Sequence, residues 1–208
     1  LKCHPSCRLE YKWQEAPTAI TLLTDSDWAG DVLTRRSTSG MVIMLGGHLT
    51  LFASKLQKTV ALSSGEAELN ALVSGFTEAM GVSSLCSDWE STIPVQCFCD
   101  SSAARGIAHR TGVGKMKHLH VRQLWVQEQV RLQRASVSWI PRCQNTADAF
   151  THQCGEVVLT EHLRRASVAV RSESVTDPAR GGVQNSDPTY SWWHVPHPRG
   201  NWADLSGV

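Results

Sequence analysis

Residues 41–72 read MVIMLGGHLTLFASKLQKTVALSSGEAELNAL, and their reading decides the fold. The runs 41–45 and 48–53 are apolar and strand-like on either side of Gly46-Gly47, a hairpin signal, so they should pair antiparallel. The pattern then changes period. Ser63-Ser64-Gly65-Glu66 fits an S-x-x-E capping box, in which Ser63 caps a helix and Glu66 reaches back. The spacing predicts a helix from 63 through about 82. A hairpin that hands over to a long helix is the opening of a mixed α/β sheet.

Working outward, 19–24 (AITLLT) is a strand that precedes the hairpin and ends at Asp25-Ser26-Asp27. Downstream, 95–99 (VQCFC) is a fourth strand closed by Asp100, and 101–109 a short helix. A longer helix is expected over 117–134, a fifth strand over 137–140 stopped by Pro141, and a last helix capped by Asn145 through about Thr151. Three strands, a helix, then alternation of strand and helix predict an α/β fold: a five-stranded mixed sheet, antiparallel first and parallel across later crossovers. Residues 1–17 read as a linker from an upstream region and 18–153 as the folded domain. Residues 154–208 read as a C-terminal extension, expected to be largely disordered, in which Trp192, Trp193 and Trp202 are potential docking residues.

The 208 residues carry 20 Lys+Arg against 19 Asp+Glu, with 41% hydrophobic and 19% charged residues, ordinary for a globular domain. No apolar run nears the roughly 20 residues that span a bilayer, so no membrane partner is expected. Seven cysteines without regular spacing speak against a disulfide framework and for a reducing, intracellular setting, cytoplasmic particle or nucleus alike. The start at Leu1 rather than Met fits a fragment or a processed piece. Cys3-His4-Pro5-Ser6-Cys7 lacks the second Cys/His pair that a zinc finger needs. The balanced total hides one local excess: 101–142 holds eight basic residues and a single acid, Glu128, for a local charge of +7. Such a block is a footprint for phosphates, although a solvated helix face would look the same.

Four carboxylates stand at element ends. Asp25 closes the first strand and Asp100 the fourth, on the sheet edge where α/β sites form; Asp also ends strands as a simple turn residue. Along the first helix, positions 68, 71, 72, 75, 76 and 79 are Glu, Ala, Leu, Gly, Phe and Ala, an apolar stripe that includes Glu68. Glu66 has a capping role on the polar side, whereas Glu68 points toward the sheet, where a carboxylate is costly unless paired or bound to a cation. Asp148 follows the cap Asn145 by three residues, so it is either a site carboxylate or a helix-start acid favoured by the dipole. If the four ends converge, oxygen-only ligands at that density select hard divalent ions. A pair of such ions is a clamp for phosphodiester hydrolysis.

TDSDWAGD (24–31), RRSTSGMVIMLGG (35–47), ASKLQKTVALSSGEAELNAL (53–72), VQCFCDSSAA (95–104), KHLHVR (117–122) and VSWIPRCQNTADAFT (137–151) resemble, in order and spacing, the ribonuclease H domain of copia-type LTR retrotransposon polyproteins. The resemblance implies a ribonuclease H-like fold with helices on both faces of the sheet. It implies endonucleolytic cleavage of the RNA strand of an RNA–DNA hybrid during reverse transcription, with a reverse transcriptase domain in the same polyprotein. Two Mg²⁺ ions, with Mn²⁺ as a substitute, would be held by a D-E-D-D set carried over as Asp25, Glu68, Asp100 and Asp148. Asp27 is a weaker alternative to Asp25. Arg35, Arg36, Lys55 and Lys58, with Lys117, His118 and Arg122 of the basic block, are the implied nucleic-acid contacts, gripping phosphates rather than reading bases.

Three departures stand out. Phe150 and His152 replace the leucine and lysine of a LADILTK-like motif, and His120 stands where an acid is usual. The loop PRCQN (141–145) lacks the histidine that cellular enzymes of this fold use in product release, which leaves His118 or His152 as candidates. Two rival readings compete. One is a non-catalytic retroelement-derived remnant that still binds nucleic acid. The other, an integrase-like strand transferase, is disfavoured by the early position of the inward glutamate.

Overall fold

The structure, a computed structural model, describes residues 7–112 and 121–170, without the side chains of 121–123. The chain divides at 171/172, and its second unit, 172–208, lies outside the described residues. The elements in chain order are β1 (Cys7–Leu9), β2 (Ile20–Ser26), β3 (Thr38–Leu45), β4 (His48–Leu56), α1 (Ser64–Asp88), β5 (Val95–Cys99), α2 (Ser102–His109), α3 (Val121–Arg131) and β6 (Ala135–Trp139). Two 3-10 turns, Arg142–Gln144 and Thr146–Phe150, lead into α4 (Glu156–Arg165) and β7 (Val168–Val170).

The main sheet has the order β4-β3-β2-β5-β6. β2, β3 and β4 pair antiparallel, the hairpin closing at Leu45↔His48, and β5 and β6 add parallel to β2. This is the five-stranded mixed α/β sheet, antiparallel and then parallel, that the pattern predicts. Strand alternation sorts the side chains into two cores. Ile20, Leu22, Met41, Ile43, Val95, Cys97 and Val137 face α1, α2 and α3, whereas Leu23, Val42 and Met44 face the other way with Ala147, Phe150 and Ala166. Phe76, Leu69, Leu72 and Ile43 are wholly buried. Each such side chain contributes on the order of 1.5–3 kcal/mol by leaving water. The second face is covered by the 146–150 turn, with α4 packed on that turn.

The start of α1 follows its capping box. Ser63 Oγ accepts from the Glu66 N–H at 3.2 Å, and the Glu66 carboxylate accepts from the Leu62 N–H at 2.8 Å, one residue earlier than the simplest box. Its end differs from the expectation at about 82. Gly81 meets open space and is tolerated, and Cys86 is buried, so the helix continues to Asp88 until Trp89 caps it. The expected helix from Asn145 is a 3-10 turn, and of the expected 117–134 helix only 121–131 is seen, because 113–120 lie outside the described residues.

The two ends of the described chain depart from a bare linker and extension. Cys7–Leu9 pairs antiparallel with Val168–Val170. Gln14 donates to the Leu45 carbonyl at 2.9 Å and accepts from the Gly47 N–H at 2.8 Å, latching the hairpin turn. Residues 156–170, placed with the extension on composition, form α4 and β7. Their anchors are single buried side chains, His162 and Ala166, too sparse to make a periodic pattern.

Candidate active site

Asp25 stands at the end of β2, paired across the sheet with Gly40 of β3, and is 3% exposed. Two close approaches bring other acids to it. A Cβ on Gly75 would lie 2.8 Å from Thr24 Cγ2 and 3.0 Å from Leu22 Cδ1, so glycine lets α1 sit directly on β2. Glu68, on the same stripe two turns earlier, thereby arrives beside the strand end. A Cβ on Gly40 would lie 2.7 Å from the Ala147 carbonyl and 2.8 Å from Thr151 Cγ2, so glycine also lets the 146–151 segment lie across β3. Asp100 follows β5 directly, and Ser101 caps α2 by accepting from the Ala104 N–H at 3.1 Å.

The carboxylate oxygens of Asp25, Glu68 and Asp100 lie within 4.8 Å of one another. Asp25 and Asp148 form a second group with His152 on the same limit, so Asp25 is common to both. His152 Nε2 is 3.7 Å from Asp25 Oδ2 and 3.9 Å from Asp148 Oδ1. The Thr151 hydroxyl donates to Asp25, and Arg142 Nε donates to Asp148 Oδ1 at 2.9 Å. The four acids named from the sequence are therefore brought together at one end of the sheet. Asp27 is not among them: its backbone and carboxylate both bond to Thr38, closing the loop after β2.

The crowding shows in the electrostatics. Burial pushes the Glu68 carboxyl up to about 9, and the neighbouring Asp25 and Asp100 push the same way, against the Ser26 N–H and Arg142. Burial likewise raises Asp25, opposed by the Thr151 hydrogen bond, with Asp100 and Asp148 raising it and His152 lowering it. Glu68 Oε2 is buried with no hydrogen-bond partner. At such an edge Glu68 keeps its proton to higher pH than an ordinary carboxyl, and a bound cation would offset the repulsion among the acids.

Of the residues named as nucleic-acid contacts, Arg35, Lys55 and Lys58 are exposed and Arg36 partly so. Lys55 Nζ already lies 3.2 Å from Glu78 Oε1, and Arg36 Nε donates to Thr34 Oγ1 at 3.2 Å. Lys117, His118 and the Arg122 side chain lie outside the described residues. Sequence reasoning missed Arg142 and Thr151 as partners of the acids. The basic block contains the first and the ADAFT match the second, but neither pattern says which atom each touches.

Fold and site together define a mixed-sheet α/β domain with a carboxylate-lined edge. The chain is similar to retrovirus-related Pol polyproteins of plant transposons. It is 28% identical over 163 residues to the Pol polyprotein of transposon RE2 of Arabidopsis thaliana, covering 77% of this chain and 11% of that polyprotein. To the Pol polyprotein of transposon TNT 1-94 of Nicotiana tabacum it is 32% identical over 130 residues, covering 62% of this chain and 10% of that one. The chain thus spans about a tenth of the length of these Pol polyproteins. Among solved structures, LC11-RNase H1, isolated from compost by a metagenomic approach, aligns with a TM-score of 0.47 at 20% identity, covering 64% of this chain and 92% of that one. No family model matches the chain. Among the described residues, no helix is long and apolar enough to cross a membrane.

Proposed function

We propose that this domain is a metal-dependent endoribonuclease that cleaves the RNA strand of RNA–DNA hybrids in retrotransposon reverse transcription. The observation that carries the reading is Glu68: a half-buried carboxylate with one buried, unpartnered oxygen, its group within 4.8 Å of Asp25 and Asp100 oxygens. Evolution of a purely structural core has no use for such a group, because apolar replacement would remove its desolvation cost. A hard divalent cation fits this oxygen-only donor set. Asp25, Glu68, Asp100 and Asp148 are the residues that would hold two Mg²⁺ ions, or Mn²⁺ in their place. When bound, the ions supply Lewis-acid stabilisation and a water of lowered pKa.

The chain's own groups do the rest. Thr151 orients the Asp25 carboxylate, Arg142 holds Asp148, and His152 sits between the two acids as a proton carrier for the departing product end. Arg35, Arg36 and Lys58 grip phosphates, with Lys55 available once it leaves Glu78. The reverse transcriptase of the same polyprotein is the natural partner, in an intracellular setting. The non-catalytic reading has one observation in its favour, since Arg142 already satisfies Asp148.

The test is cleavage of an end-labelled RNA–DNA hybrid at low salt in Mg²⁺ and in Mn²⁺, by the wild type and by Asp100→Asn. RNA-strand cutting by the wild type alone is expected. Hybrid binding without cutting by either protein would move the reading to the nucleic-acid-binding remnant.

A further inference from the structure

Asp148 belongs to another donor cluster, of different chemistry. One of its carboxylate oxygens, Cys154 Sγ and a ring nitrogen of His162 lie within 4.8 Å of one another. His162, on α4, is 2% exposed, and its Nδ1 is buried without a hydrogen-bond partner. A fully buried imidazole with an unmade bond costs free energy that the fold recovers when a partner reaches that nitrogen. Among the described residues Cys154 makes a weak contact, its thiol donating to the His152 carbonyl at 3.6 Å. Asp148 is 7% exposed, so two of the three donors are shielded from bulk water.

We propose that Asp148, Cys154 and His162 form a binding site for a borderline transition-metal ion of the zinc class, chemically distinct from the oxygen-only edge of Asp25, Glu68 and Asp100. A thiolate, an imidazole and a carboxylate match the ligand preferences of Zn²⁺, whereas Mg²⁺ takes oxygen. Bond lengths of about 2.0–2.3 Å set tetrahedral donors roughly 3.3–3.8 Å apart. The donors lie within 4.8 Å of one another, so small side-chain adjustments bring them to that spacing, with Cys154 moving most freely because it lies in the loop before α4. Binding releases the thiol proton to solvent and leaves a fourth position for water. Because Asp148 is shared, an ion held here withdraws it from Asp25 and His152. Zinc-class ions therefore inhibit hybrid cleavage in competition with the activating cation. That consequence rests on the nuclease reading; the binding itself does not.

The probe is Co²⁺ titrated into the full chain under reducing conditions, read by absorption. A near-ultraviolet thiolate-to-cobalt band should saturate at one ion per chain and be displaced by Zn²⁺. Cys154→Ser should abolish the band, His162→Gln should weaken Co²⁺ binding at least tenfold, and Asp25→Asn should leave the band in place. Cys154 is partly exposed, so Cys154→Ser carries the test if His162→Gln fails to fold. Absence of the band in the wild type, or an undiminished band in Cys154→Ser, overturns the proposal. In the activity arm, micromolar Zn²⁺ should inhibit the Mg²⁺-supported reaction of the wild type at least tenfold more than that of Cys154→Ser. A chain that binds Co²⁺ through Cys154 but never cuts hybrid supports the site and refutes the nuclease reading alone.

Discussion

The side-chain amide of Asn145 donates to the Thr24 carbonyl at 2.9 Å across 121 residues of chain. Asn145 is wholly buried, and its side-chain oxygen also accepts from the Ala147 N–H at 3.3 Å. One residue therefore ties the strand end that carries Asp25 to the turn that carries Asp148. Asn145→Ala leaves the Thr24 carbonyl and the Ala147 N–H unpaired in the interior, which should cost about 1–3 kcal/mol. Urea unfolding at constant m-value measures it. An unchanged midpoint would show that the two elements are held together by packing alone. If the nuclease reading holds, the same variant should lose turnover beyond its loss of stability, because Asp148 is no longer fixed against Asp25.

Two glycines set the spacing of the acids, and their alanine variants should differ in kind. At Gly40 the added methyl meets the Ala147 carbonyl at 2.7 Å, a backbone atom that cannot swing away. At Gly75 it meets Thr24 Cγ2 and Leu22 Cδ1, the ends of side chains with some freedom to adjust. Overpacking costs of about 1–3 kcal/mol are expected at both, larger for Gly40→Ala. Thermal melts of the two variants under identical conditions decide the order. A Gly75→Ala variant less stable than Gly40→Ala contradicts the packing described above.

What was legible in the sequence is what local physics determines. The Gly-Gly hairpin, the Ser63 cap, the apolar stripe through Phe76 and the inward direction of Glu68 all follow from periodicity and turn chemistry within a few residues. Asp148 was ambiguous because its partner relationships run through Asn145 to Thr24, and no local pattern encodes a contact at that separation. The pairing of Cys7–Leu9 with Val168–Val170 was illegible for a similar reason: three-residue strands carry no measurable alternation. Cys154 and His162 look unremarkable one at a time, and only the fold of α4 against the 146–150 turn places them with Asp148. The choice of Asp25 over Asp27 was half legible. The TDSD motif offers both, and the Thr38 bonds show that Asp27 serves the loop.

In the absence of divalent cations, stability should fall as pH rises. Glu68 has a folded-state pKa of about 9 against an ordinary 4.5. Its raised value means that the folded protein keeps a proton that the unfolded chain has lost. The stability it contributes is complete below about 4.5 and is lost as pH climbs through 9. The limiting slope for one proton is about 1.4 kcal/mol per pH unit. Chemical denaturation in EDTA at several pH values between 5 and 8.5 measures it, and Glu68→Gln should flatten the profile. Added Mg²⁺ should flatten it too, by stabilising the ionised carboxylates. Because the lowered pKa of His162 acts in the opposite sense through the ordinary histidine range, the Glu68→Gln comparison decides: a profile that Glu68→Gln leaves unaltered would remove Glu68 from the crowded edge.

Hybrid binding should report which basic side chains are free to act. A protein that grips phosphates releases counterions, so the logarithm of its affinity falls with that of salt by roughly 0.7–0.9 for each contact. Arg35 and Lys58 are exposed and make no ion pair among the described residues, whereas Lys55 Nζ lies 3.2 Å from Glu78 Oε1. Exposed pairs of that kind hold with only about 0–1 kcal/mol, but a cation already partly neutralised gains less from a phosphate. Arg35→Ala and Lys58→Ala should each reduce the salt slope by about one contact, and Lys55→Ala by less. Glu78→Gln, which frees Lys55, should steepen it. Fluorescence anisotropy of a labelled hybrid, in EDTA to prevent cleavage and over 50–300 mM salt, separates these cases. Slopes that stay at the wild-type value in Arg35→Ala and Lys58→Ala would shift the binding face away from β4 and the loop after β2. The basic segment 101–142 would then carry the phosphates by itself.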